Sequence, residues 1–237
     1  MAVQSLLRSA IREKKIVLER MDDFFAARVN DYDRHMVKDV PGCKEGYIKM
    51  ARLLPKTVRS VLDLGCGTGL ELEEIFKAYP NIKVTGIDLT PAMLKVLKQK
   101  YPDRDMMLVN KSYFDYDFGI RAYDAAISFQ TMHHYPHDKK TALYSKIYSA
   151  LKPGGRYIEC DYMVVEQKDE DCFFQENKRI RKEQNIPDGE FYHFDTPCTI
   201  DNQIKMLHSA KFETVEMVWR MENTTILVAD KQQNNEH

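Results

Sequence analysis

The chain has 237 residues, with 35 lysines and arginines against 36 aspartates and glutamates and a net charge of −1. That length suits one α/β domain with an appendage, not two large domains, and so small a net charge supplies no field to gather nucleic acid, which is disfavoured as a partner. Cys43, Cys66, Cys160, Cys172 and Cys198 are widely spaced without a Cys-x-x-Cys, no stretch approaches a membrane span, and the start lacks a secretion pattern, so the expectation is a cytoplasmic protein with no metal and no membrane partner.

In chain order, Leu6, Leu7, Ala10, Ile11, Val17, Leu18, Met21, Phe24 and Phe25 recur at helical spacing and predict an amphipathic helix. The segment from Arg28 to Met36 follows, and Pro41-Gly42 marks a turn before a short helix over 45–54 that Pro55 ends. From there strands and helices alternate: strand 60–64, helix 69–78, strand 82–88, helix 91–100, strands 105–109 and 123–129, helix 138–150, strand 155–161. This alternation predicts an α/β, Rossmann-like, doubly wound and mostly parallel sheet with helices on both faces. After Asp161 it stops. A charged helix over 169–184 and an aromatic-rich loop over 185–197 predict a cap insertion. A helix capped by Thr199 or Asp201 leads to strands 212–220 and 224–229, whose short connection Met221-Glu222-Asn223 allows only an antiparallel hairpin. The division is 1–56, an N-terminal helical segment and lid; 57–161 with 198–231, the core; and 162–197, the cap.

The most informative stretch is Val61-Leu62-Asp63-Leu64-Gly65-Cys66-Gly67-Thr68-Gly69, followed by Val84-Thr85-Gly86-Ile87-Asp88-Leu89. An apolar run that stops in glycines and turns helical is the strand, tight turn and helix of a βαβ unit, and Asp88 ends the next strand where a carboxylate can accept from a ribose diol. A dinucleotide loop would want glycine at position 70, which is Leu70. Asp63 would repel a phosphate and attract a cation. With Leu151-Lys152-Pro153-Gly154-Gly155 as a late turn, these motifs resemble the class I S-adenosylmethionine-dependent methyltransferases over residues 58–230. The resemblance implies S-adenosylmethionine as cofactor and S-adenosylhomocysteine as product. It sets Asp63, Gly65, Cys66, Gly67, Thr68 and Gly69 beside the methionine part, Asp88 on the ribose, and Leu89 and Met93 at the adenine. Many such enzymes carry an acid after the third strand; Ser112 stands there, with Tyr113 able to stack on the ring.

Methyl transfer is a direct displacement, so the protein must align the reactants and exclude water without supplying a covalent nucleophile. The strand ending at Phe129 opens into Gln130-Thr131-Met132-His133-His134-Tyr135, the best place for an acceptor-side group. His133 or His134 is a candidate base because histidine titrates near neutral pH; either could equally be a packing wall. Phe129 and Gln130 belong with the cofactor, Tyr32 is a candidate lid contact, and Asp161, Phe191, Tyr192 and His193 are candidates for the acceptor wall. A narrower resemblance, through Tyr32-Asp33-Arg34-His35-Met36, Val40-Pro41-Gly42-Cys43-Lys44-Glu45-Gly46-Tyr47 and the late helix and hairpin, is to the carboxy-S-adenosylmethionine synthase branch. In that branch a basic cap residue neutralises the modified cofactor; Asp188 to Phe194 contains no arginine or lysine. The preferred expectation is a small-molecule methyl acceptor. A carboxylated cofactor or tRNA modification is the alternative, a non-catalytic binding module is less favoured, and homodimer formation is left open.

Overall fold

The computed structural model describes residues 16–233. The first element, α1, spans Met21–Lys38, and α2 spans Cys43–Leu53. Then follow β1 (Ser60–Leu64), α3 (Leu70–Ala78), β2 (Lys83–Asp88), α4 (Pro91–Lys100), β3 (Met106–Asn110) and β4 (Tyr123–Phe129). A 3-10 turn over Met132–His134 leads into α5 (His137–Ala150), β5 (Leu151–Tyr162) and α6 (Gln167–Glu183). The chain finishes with α7 (Ile200–Ser209), β6 (Thr214–Met221) and β7 (Thr224–Asp230).

The strands form one seven-stranded sheet in the order β3-β2-β1-β4-β5-β7-β6. Strands β1 to β5 pair in parallel, whereas β7 runs antiparallel to both β5 and β6. The reversal follows from the turn at Met221–Asn223, which is too short for a crossover. Continuous apolar strands explain the two-sided burial. Val61 joins Leu72, Ile75 and Phe76 on one face, while Leu62 and Leu64 join Leu143, Tyr144 and Ile147 on the other. Each such side chain contributes about 1.5–3 kcal/mol on full burial. The order in which strands are added switches sides between β1 and β4, whose other neighbours β2 and β5 lie to opposite sides. That arrangement opens a crevice at the carboxyl ends of these strands, where ligands of such sheets bind.

Two expected boundaries move. Leu6, Leu7, Ala10 and Ile11 lie outside the described residues, and Val17 and Leu18 precede α1 without joining it. The reason is tertiary: Arg20 pairs in a β-bridge with Tyr192, and Met21 N donates to Phe191 O at 3.0 Å, so the entering chain is held extended against the cap loop. The helix then runs on to Lys38, carrying the whole of Arg28–Met36. Strand β5 begins at Leu151, before the expected turn, but its register against β4 shifts between Tyr123 and Ala125, and Gly154 sits at φ 73° inside that irregularity. No helix among the described residues is long and apolar enough to cross a membrane.

Candidate active site

The glycine turn after β1 is shaped by left-handed backbone at Gly65, Gly67 and Gly69, with φ of 70°, 48° and 72°. A Cβ on Gly65 would stand 2.6 Å from Thr131 Oγ1, so that position is closed to any side chain on two counts. Asp88, at the end of β2, accepts from Gly67 N at 2.9 Å and from Thr90 N at 2.7 Å. One carboxylate therefore fixes the turn and the entry to α4. Burial raises its pKa, and the two N–H donors oppose that rise. Gly65, Gly67, Asp88, Leu89, Met93, Tyr113, Phe129 and Gln130 line a cleft beside this turn, with Thr131 and Tyr135. Cys66, Thr68 and Gly69 line its continuation towards Glu71.

Asp63 is fully buried, and neither carboxylate oxygen has a hydrogen-bond partner among the described residues. Its neighbour Glu71 is 6% exposed, and its Oε1 is likewise unpartnered. Burial, reinforced by the Glu71 charge, raises Asp63 well above the carboxylate range; burial pushes Glu71 up to about 7, against the contact with Asp63 and the Lys100 charge. Two buried acids without a cation are costly. The ammonium of an amino-acid-bearing cofactor is the partner this pair fits, with Glu71 lining the cleft and Asp63 behind it.

Other expected contacts fall elsewhere. Ser112 does not line the cleft: its Oγ accepts from Phe114 N at 3.2 Å, stabilising a local turn, and Tyr113 reaches the cleft instead. Cys66 offers only backbone, since its Sγ packs over Gly86 at 2.9 Å from where a Cβ would stand. Phe191 turns into the core, stacking on Phe114 at 5.4 Å and meeting Tyr135 edge-on. Tyr192 is held by its bridge to Arg20 and lies beside Arg181. Neither ring lines a cavity, because the cap loop pairs with the chain before α1 and that pairing sets their directions. Asp161 is also withdrawn, buried behind His133.

A larger cavity of about 670 Å³ adjoins the cleft. Its walls come from α1 (Phe24, Phe25, Arg28, Tyr32), the turn after β4 (Gln130, His133, His134), Tyr162, the cap loop (His193, Asp195) and the β6–β7 turn. Phe25, Tyr32, Gln130 and His134 line both spaces. Gln130 reverses the chain at φ 50°, with its N–H bonded to Cys160 O at 2.8 Å.

The histidines differ sharply. His133 Nδ1 stands 2.6 Å from Asp161 Oδ1, and Nε2 stands 3.5 Å from Asp195 Oδ1. Burial alone would lower its pKa, but the two carboxylates outweigh that and hold it at about 10. Burial, with the charge of His133, drives His134 well below the usual imidazole value, and burial lowers His193 to about 4. Partial desolvation would raise the Asp195 carboxyl, but the protonated His133 beside it holds it well below the usual carboxylate range. His133 is thus a cation and His134 a neutral ring, and neither is poised near 7 as an efficient base would be. Asp195 itself escaped sequence reasoning; its only signal was its place in the aromatic loop, next to His193.

The roof of the cleft is α1. Thr68 Oγ1 donates to Asp33 at 2.5 Å, Lys100 pairs with the same carboxylate, and Lys100 Nζ also donates to Thr68 O at 3.1 Å. The Tyr32 ring stands 3.9 Å from where a Cβ on Gly67 would be. The cleft beneath holds about 50 Å³, whereas a site for a ligand of cofactor size takes about 300 Å³ or more. Movement of α1 on entry is therefore the expectation. Asp33→Ala is expected to speed dissociation of S-adenosylhomocysteine in stopped-flow measurements by about tenfold, the loss of roughly one charge-assisted contact. Hydrogen exchange should slow over residues 28–36 when ligand is bound; exchange unaffected by ligand would remove the lid.

Residues 61–155 match the family described as a methyltransferase domain. A putative O-methyltransferase from Nostoc punctiforme shares the fold at TM-score 0.67 and 18% identity, over 90% of this chain and 62% of that one. Human N-acetylserotonin methyltransferase in complex with S-adenosylmethionine does so at TM-score 0.61 and 18% identity, over 89% and 55%. The methyltransferase domain over residues 61–155 and the relatives that follow support a class I S-adenosylmethionine-dependent methyltransferase with S-adenosylmethionine as its cofactor. Within that class it is similar, at 25% identity, to the carboxy-S-adenosyl-L-methionine synthase of Nautilia profundicola, over 90% of this chain and 96% of that protein. It is also 30% identical to a sterol 24-C-methyltransferase of Saccharomyces cerevisiae, over 57% of this chain but only 36% of that enzyme.

Proposed function

We propose that the chain transfers a methyl group from S-adenosylmethionine to a small, partly apolar acceptor seated in the 670 Å³ cavity. The observation that carries this is the wall of Phe25, Tyr32, Gln130 and His134 shared by cofactor cleft and cavity. A methyl carbon at that wall faces an acceptor on one side and its own sulfur on the other, the in-line arrangement that displacement needs. The acceptor lone pair forms the new bond while the carbon–sulfur bond breaks with its electrons to sulfur, releasing S-adenosylhomocysteine. Asp88 would hold the ribose, Glu71 and Asp63 the ammonium, and Leu89 and Met93 the adenine. The faces of Phe25 and Tyr32 suit a sulfonium, and α1 excludes water once closed.

The similarity along nearly the whole carboxy-S-adenosylmethionine synthase favours a second reading. Against it, the arginines on the cavity wall are already engaged: Arg28 with Glu19 at 2.8 Å and over the Phe24 ring, Arg34 with Asp31 at 3.1 Å. A carboxylated cofactor would share these guanidinium groups with the acids already beside them. Incubation with S-adenosylmethionine and a panel of small phenols, thiols, amines and carboxylic acids should yield S-adenosylhomocysteine and a methylated product by mass spectrometry. Formation of carboxy-S-adenosylmethionine from prephenate, with no methylated product, would establish the second reading instead.

A further inference from the structure

We propose that His133, His134 and Asp195 form a binding site for a divalent transition-metal ion of the zinc type in the wall of the acceptor cavity. His133 Nε2 and His134 Nδ1 each stand 3.5 Å from Asp195 Oδ1, and the three atoms lie within 4.8 Å of one another. Zinc holds nitrogen and carboxylate oxygen at about 2.0–2.2 Å, so a tetrahedral shell spaces its ligand atoms about 3.3–3.6 Å apart. Two edges of the triangle already have that length. The same separations are long for hydrogen bonds, so these groups converge on a point more than they bond to each other.

Two further observations point to an occupant. The His134 side chain is only 4% exposed, yet its Nδ1 has no hydrogen-bond partner among the described residues, a costly state for a buried imidazole nitrogen that an ion would relieve. Behind the site, Asp161 Oδ1 approaches His133 Nδ1 to 2.6 Å and thereby turns Nε2 towards the cavity. A carboxylate on the far nitrogen of a ligating histidine fixes ring orientation and raises basicity, the arrangement that supports metal ligands. His193 Nε2 stands 3.8 Å from the same Asp195 oxygen, outside the three-residue grouping. Two imidazoles and one carboxylate suit zinc, cobalt or iron(II), whereas magnesium and calcium favour oxygen ligands. The sequence expectation of no metal rested on cysteine spacing. These ligands come instead from a 3-10 turn and a loop some sixty residues apart in the numbering, which no spacing rule connects.

The site stands on its own geometry; only its role rests on the methyl-transfer reading. There, an ion open to the cavity would bind the acceptor oxygen or sulfur, favour loss of its proton to solvent and leave the lone pair for the methyl carbon.

The test uses full-length, tag-free protein stripped with chelator and titrated calorimetrically with zinc chloride in the absence of S-adenosylmethionine, with cobalt(II) absorbance as a second readout. One tight equivalent and a tetrahedral cobalt spectrum are expected. Asp195→Asn and His134→Ala should each weaken zinc binding at least about 100-fold, and Asp161→Asn about 10- to 100-fold, the range for support of a metal ligand. Circular dichroism checks folding, and Asp195→Asn decides the matter if His134→Ala unfolds, since the Asp195 side chain is 40% exposed. Cys198→Ser, which alters the separate grouping of His137, Glu170 and Cys198, should leave the titration unchanged. No zinc binding, unchanged affinity in Asp195→Asn, or loss of binding in Cys198→Ser would each overturn the assignment. Parallel titration with S-adenosylhomocysteine separates the two readings: ligand bound without zinc defeats the metal site alone, and zinc bound without ligand defeats the methyl-transfer reading alone.

Discussion

Asp88→Ala is expected to weaken S-adenosylmethionine binding by about 100-fold while leaving the sheet intact. The carboxylate stands at the end of β2 with each oxygen already accepting one backbone N–H, from Gly67 and from Thr90. Each retains acceptor capacity for a ribose hydroxyl. Hydrogen bonds to a charged group contribute about 1.5–3 kcal/mol each, and water replaces part of what the alanine loses, so a net cost near 3 kcal/mol is reasonable. The same change frees the Gly67 and Thr90 amides, which loosens the turn that cradles the ligand. Asp88→Asn keeps the shape and drops the charge, so about a tenfold loss is expected there. Calorimetry with S-adenosylhomocysteine measures both. A change below about threefold in the alanine variant would mean that the ribose is held elsewhere.

The second large effect is a dependence of cofactor affinity on pH. Glu71 sits at about 7 in the free protein, chiefly through burial, and Asp63 beside it is raised as well. An ammonium placed against this pair favours the ionised forms, so binding releases a proton and is favoured above pH 7. Affinity should fall about tenfold between pH 8 and pH 6, as expected for one linked proton. The heat of binding near pH 7 should also vary with the ionisation enthalpy of the buffer. Glu71→Gln should flatten the profile. A flat profile in the unaltered protein, with no buffer dependence, would show that the ammonium lies away from these acids. For the free protein the sign is opposite. A carboxyl whose pKa is raised by folding keeps more protons in the native state than in the unfolded one, so its contribution to stability is lost as pH rises from about 4 towards 7. The gain in Tm on adding S-adenosylhomocysteine should therefore be larger at pH 8 than at pH 6.

What could be read directly in the sequence was local. The run ending at Gly65, the glycines at 67 and 69, and Asp88 lie within a single βαβ unit, and contacts of short range are encoded by spacing and residue type. The antiparallel ending followed from the length of the Met221–Asn223 connection. What escaped depended on distant partners. Val17 and Leu18 fit a helical pattern, but the bridge between Arg20 and Tyr192 takes that stretch out of the helix. The same bridge, with Phe191 packed on Phe114, draws Phe191 and Tyr192 away from the cavity they were expected to line. Ser112 stands where an acid is often found, but its hydroxyl is engaged by the Phe114 amide. Asp195 became visible only once the cap loop had folded over the 3-10 turn.

The shared wall between the two cavities has an evolutionary consequence. The cleft is walled mainly by the turns after β1, β2 and β4, inside residues 61–155, whereas much of the adjoining cavity is built from α1, the cap loop and the β6–β7 turn. Those three pieces lie outside that segment and can change in sequence with little disturbance to the strands that carry the cleft. New acceptor preferences are thus open to selection at little risk to the methyl donor. Phe25, Tyr32, Gln130 and His134, which belong to both spaces, are the positions where that freedom ends.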